Sequence, residues 1–82
     1  MFTNRFYKVR AVSIDEEGCG NIGYLNIKPF SIVSYCESQV EFVDDSGAQV
    51  SYPAVIIETA NNNHILLIDI STFEEEMNKF FG

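Results

Sequence analysis

The chain has 82 residues, with 12 acidic and 5 basic side chains, a net charge of −7, and a hydrophobic fraction of 46% that includes seven Phe, four Tyr and no Trp. That length holds a single domain, residues 1–82, and that apolar content argues against disorder. A surface this negative repels phosphates and anionic lipid, so neither direct nucleic-acid binding nor membrane attachment is expected.

The opening "MFTNRFYKVR" lacks the apolar core of a secretory leader, and no apolar run is long enough to span a bilayer. A cytoplasmic location is the expectation. In that reducing compartment Cys19 and Cys36, which fit no metal-ligand spacing, are expected to be buried free thiols.

"FYKVRAVSI" (6–14) carries Tyr, Val and Ile in imperfect alternation and predicts a strand. Arg5, Lys8 and Arg10 make this the one basic stretch of an acidic chain, and Lys8 and Arg10, two apart, share a strand face. Two readings follow. The cations pair with acids on a neighbouring strand. Alternatively, with Phe6 and Tyr7 available for stacking, they hold an anionic ligand or an acidic patch on a partner, a second copy included.

"DEEGCGNIG" (15–23) is turn chemistry, three acids and then three glycines. It contains G-x-G-x-x-G, the dinucleotide-binding pattern, which requires a preceding strand and a following helix to receive the pyrophosphate. The residues that follow, "YLNIKPFSIV", are β-rich and hold a proline, and Asp15, Glu16 and Glu17 would sit beside the phosphates. The glycines are therefore expected to serve a wide turn needing positive φ, and no cofactor is expected.

"YLNI" (24–27) and "FSIVSYCE" (30–37) predict strands separated at Pro29. "QVEFVD" (39–44) and "AQVSY" (48–52) predict a hairpin around "DSG", ended by Pro53. "AVIIET" (54–59) and "HILLIDI" (64–70) predict a second hairpin, its turn made by asparagines at positive φ. The 64–70 segment is apolar on both faces apart from Asp69, which places it centrally in the sheet.

The last segment predicts a helix over about 71–81. Ser71 and Glu74 spell a capping box, Glu74–Glu76 fall in the expected first turn, and Phe73, Met77, Phe80 and Phe81 form one stripe. The fold class is therefore α+β: an antiparallel meander of five or six strands, curled toward a partly open barrel, packed by one C-terminal helix.

Catalytic constellations are weak. His64 is the only histidine and has no paired nucleophile. A cysteine nucleophile needs a base and an orienting group, and neither Cys19, in an acidic turn, nor Cys36 has a recognisable one. Glu58 and Asp69 fall on strands expected to pair, but so small a domain offers little room for a cleft. A zinc site from Cys19, Cys36 and His64 lacks ligand spacing.

The expectation is a non-enzymatic binding module that docks on another protein with a basic or apolar surface and modulates or inhibits it. In style, though in no motif, it resembles the accessory and inhibitor proteins carried by phages and mobile elements. The alternative is a homo-oligomeric binder of a small anionic ligand. The residues singled out for binding are Arg5, Tyr7, Lys8 and Arg10 of the basic strand, with Asp44 and Asp45 of an acid cluster.

Overall fold

The computed structural model describes residues 6–81. The elements run β1 (Tyr7–Ile14), β2 (Gly20–Ile27), a 3-10 turn (Pro29–Ser31), β3 (Ile32–Val43), β4 (Gln49–Thr59), β5 (Asn63–Leu66) and α1 (Ile70–Phe81). The strands form a five-stranded antiparallel sheet in the order β2-β1-β5-β4-β3. A three-strand meander, β3 to β5, is thus joined to the β1–β2 hairpin through β5, the central strand.

The expected break after Glu37 does not occur, and Pro53 does not end a strand. Residues 32–43 and 49–59 form one long hairpin in which Pro53 lies opposite Gln39. Proline is tolerated there because β5 covers only Val55–Glu58 of β4, so no neighbour on that side requires the missing N–H. A twelve-residue strand spans roughly 40 Å at 3.4 Å per residue, which sets the long dimension of the 45 × 24 × 19 Å molecule.

β5 is central but shorter than expected, because after Leu67, whose N–H still donates to the Arg10 carbonyl at 2.9 Å, Ile68 and Asp69 turn into the helix. The "NNN" turn also differs in mechanism. No described residue other than glycine has positive φ. Instead the Thr59 hydroxyl and amide both donate to the Asn62 carbonyl, at 2.8 Å each, and the Asn62 amide donates back to Thr59 Oγ1 at 3.2 Å.

Alternation along the strands gives the sheet two faces. On one, Tyr7, Val9, Ile27, Val55, Ile57 and Leu66 pack against Phe73 and Met77 of α1, forming the main core. Two tyrosines fasten the helix to this face: Tyr7 Oη donates to Glu76 at 2.6 Å and Tyr35 Oη to Glu74 at 2.9 Å.

The opposite face bears a cross-strand apolar row, Ile22, Val12, Ile65, Ile56 and Cys36. It has no helix over it, and curling buries part of it. Phe42 stacks on Tyr52 and closes over Gly20, where an added Cβ would collide with the ring. At the same end Val43 N–H donates to the Gly18 carbonyl at 2.9 Å, beside an isolated bridge between Cys19 and Val43. The two edge strands approach there, but the sheet is not closed.

The helix cap is not the expected box. α1 begins at Ile70, one residue early, and Asp69 caps it: its carboxylate accepts from Thr72 N–H at 3.0 Å and from Thr72 Oγ1 at 2.7 Å. Glu74–Glu76 consequently miss the first turn, which holds no acid, and Lys79 sits in the last turn, where the helix dipole favours a cation.

Candidate functional site

Of the residues expected to bind, Arg5 lies outside the described residues. Tyr7 is a core residue rather than a surface anchor. It is 5% exposed and meets Phe73 and Phe80 edge-on, with ring centroids 6.2 and 5.8 Å apart. Burial first, and then the bond to Glu76, push its phenol well above the ordinary tyrosine range. Its ring is unavailable for stacking on a ligand.

Lys8 and Arg10 are exposed on the face away from the helix, opposite Asn26 and Tyr24 of β2. The neighbouring strand supplies no acid. Lys8 Nζ instead sits 4.9 Å above the Tyr24 ring, a cation–π contact that leaves the charge open to solvent. Next to this patch lies an open depression of about 510 Å³ lined by Val12, Ile14, Ile22, Tyr24, His64 and Ile65 among others.

Asp44 and Asp45 sit in the β3–β4 turn beside Gly20 and Ile22, which pair with the C-terminal half of β1, whereas Lys8 and Arg10 lie in its N-terminal half. Asp44 is occupied within its own turn, its carboxylate accepting from Ser46 Oγ at 2.6 Å, Ser46 N–H at 2.9 Å and Ala48 N–H at 3.1 Å. The Ser46 hydroxyl, and then the Ala48 amide, hold its carboxyl below the ordinary carboxylate value. The structure therefore does not bring the predicted basic and acidic groups into one site.

Both cysteines are free and exposed, not buried. Cys19 adjoins Val43 at one end of β3, and Cys36 lies seven residues back along that strand, roughly 24 Å away at strand spacing, so the two cannot share a disulfide or a metal. Side-chain ligand atoms of Asp15, Glu17 and Cys19 come within 4.8 Å of one another. Asp15 Oδ1 already accepts from the Glu17 and Cys19 amides at 2.9 Å each, so this grouping is the turn itself. Glu58 accepts from Ser34 and pairs across to Asn63, whereas Asp69 caps the helix, and the two carboxylates expected on adjoining strands do not face each other.

A surface not singled out in the sequence carries four of the seven large apolar or aromatic side chains exposed among the described residues. Phe30 and Val33 are each 70% exposed, Phe81 52% and Tyr35 44%. They gather where the 3-10 turn enters β3 beside the end of α1. Phe30 and Phe81 meet edge-on at 4.8 Å. A groove of about 630 Å³ runs between β3 and α1, floored by Pro29, Ile32, Phe73 and Met77 and flanked by Tyr35 and Glu74. The sequence signal for it is slight: Phe81 is the last residue of the helical stripe and is half exposed at the end of α1, and Phe30 follows Pro29.

No protein-family model, curated protein or solved structure matches this chain. No described helix is long and apolar enough to cross a membrane.

Proposed function

We propose that this chain is a small acidic, non-enzymatic module that docks on another protein with a basic or apolar surface and modulates it by occlusion. The observation that carries the reading is the exposed cluster of Phe30, Val33, Tyr35 and Phe81, set beside Glu74 in a chain of net charge −7. Apolar anchors surrounded by charge are the anatomy of a protein interface, in which the aromatic centre supplies affinity and the charged surroundings supply steering. The catalytic alternative has little to work with: Glu58 and His64 hold adjoining positions of the β4–β5 ladder but alternate to opposite faces, and Asp69 caps the helix.

The test is retrieval of a partner from native lysate with the intact protein, repeated with Phe30→Ser/Phe81→Ser. Both rings are largely exposed, so folding should survive, and losing the anchors should weaken association about tenfold or more. Full retention of the partner by the double variant would sink the assignment of this surface.

A second reading, a homo-oligomeric binder of a small anion, has one observation in its favour: Lys8 and Arg10 form no ion pair among the described residues and share a face with Tyr24. Native mass spectrometry separates the two readings, because a monomer with no bound small molecule counts against the second.

A further inference from the structure

The outer edge of β3 is the longest unpaired strand edge in the described sheet, and its hydrogen-bonding register is readable. Val43 N–H donates away from β4, to Gly18. Asp44 N–H, one residue on, donates back to Ala48 of the same hairpin. In an antiparallel ladder, successive residues alternate between facing the partner strand and facing away. Counting back from Val43 in steps of two, Glu41, Gln39, Glu37 and Tyr35 all turn their N–H and C=O outward. The placement of Pro53 agrees independently: it lies opposite Gln39, and a residue without an N–H suits a pair that exchanges no hydrogen bonds.

Natural edge strands are commonly blunted by lysine, proline or shortness. β3 has none of these. It is 12 residues long, with neither Lys nor Pro, and its one irregularity is the bulge between Ile32 and Ser34. Along the outward-facing set the side chains are Tyr35, Glu37, Gln39 and Glu41, on the helix face of the sheet, with both glutamates exposed. The groove lined by Ile32, Val33, Met77 and Phe81 opens at the Tyr35 end of this row.

From this geometry we infer that the β3 edge accepts an extended segment of another protein as a sixth strand. Lys or Arg side chains of that segment alternate along Glu37 and Glu41, and an apolar side chain at one end enters the groove beside α1. The inference rests on the docking reading above and names its site and its partner chemistry. Backbone pairing at Tyr35, Glu37, Gln39 and Glu41 provides the common attraction, and charge with the groove selects the sequence. A second copy is the poorer occupant. Two-fold pairing of β3 with itself sets an edge carrying Glu37 and Glu41 against the same edge, and β2, the other edge, bears no cationic side chain of its own.

The probes are short synthetic peptides of alternating Lys and Thr with Leu at one end or the other, and their Glu counterparts. Amide hydrogen exchange and chemical shifts of the intact protein provide the readout. At low salt the Lys peptides should protect the Glu37, Gln39 and Glu41 amides and bind about tenfold or more tighter than the Glu peptides. Gln39→Pro removes an outward N–H that β4 does not use and should abolish this protection. Glu37→Lys/Glu41→Lys keeps the backbone intact and should reverse the peptide preference. The inference is overturned by no protection of the β3 amides, by protection indifferent to peptide charge and to both variants, or by a free protein that already dimerises through β3. Peptide binding confined to another surface overturns strand addition and leaves the docking reading standing. A native partner lost in the Phe30→Ser/Phe81→Ser variant but kept in Gln39→Pro has the same consequence. The broader reading fails separately, if the intact protein associates with no protein partner.

Discussion

Gly20 shows how a single position can be dictated by tertiary contact. The glycine-rich sequence predicts a wide turn that needs positive φ here, yet among the described residues only Gly18 and Gly47 have it, at 86° each. Gly20 is in regular strand, and its missing Cβ is what lets the Phe42 ring lie against β2. Gly20→Ala should destabilise the fold by about 1–3 kcal/mol through overpacking. The same change made with Phe42→Ala should cost little, since the obstructing ring is gone. Urea denaturation of the two single variants and the double variant measures the coupling, and additive losses would contradict the contact. Tyr7 carries the opposite lesson. A tyrosine beside cations looks like a surface anchor, but strand alternation sends its ring to the helix side while Lys8 and Arg10 point to the other face.

At the scale of elements, the helix is the part on which the rest of the core depends. Phe73 is fully buried among Tyr7, Tyr35 and the sheet, and Met77 lies one turn further on. Phe73→Ala should cost about 3–5 kcal/mol. A domain of this size has roughly 4–12 kcal/mol in total at 0.05–0.15 kcal/mol per residue, so the variant should be partly or largely unfolded at ambient temperature. An unchanged thermal midpoint would show that the helix is dispensable. The cap makes a pH-dependent contribution. Bonds from the Thr72 hydroxyl, and then from the Thr72 amide, hold the Asp69 carboxyl below its ordinary value. A depressed carboxyl stabilises the fold above the unfolded-state value of about 3.9, and that stability is lost as pH falls through the folded-state value. Asp69→Asn keeps an acceptor for the cap but does not titrate. Thermal melts between neutral pH and about pH 3 should therefore show a shallower acid loss in the variant than in the parent. Parallel acid limbs would assign the loss to other carboxylates.

For the molecule as a whole, charge and shape act together. The net charge of −7 discourages self-association while favouring encounter with a cationic partner. Cys36 and the basic patch lie apart from the acidic hairpin tip, which has Cys19 beside it, so binding belongs to edges and patches. Association with the partner should weaken as salt rises from about 0.05 to 0.5 M, because contacts between exposed charges are screened over about 10 Å at 0.1 M. Salt-independent affinity would move the weight to the apolar cluster of Phe30, Val33 and Phe81.

The antiparallel sheet, the central place of the strand expected at 64–70 and found at Asn63–Leu66, and the C-terminal helix were all legible in the sequence, because each rests on local periodicity or on residues a few positions apart. Alternation in "YKVRAV" and the spacing of Phe73, Met77 and Phe80 repeat every two or every three to four residues, so a short window contains them. The fusion of two expected strands into β3, the continuation of β4 through Pro53, and the capping of α1 by Asp69 were not legible. Each depends on what lies beside the chain: an absent neighbour at Pro53, a strand that ends early before Asp69. The exposed aromatic cluster and the unpaired β3 edge belong to the same class. A strand's own residues do not say whether it will lie at the centre of a sheet or at its edge. That was decided by the order β2-β1-β5-β4-β3, which follows from long-range burial on the two faces and leaves the outward backbone of β3 without a partner among the described residues.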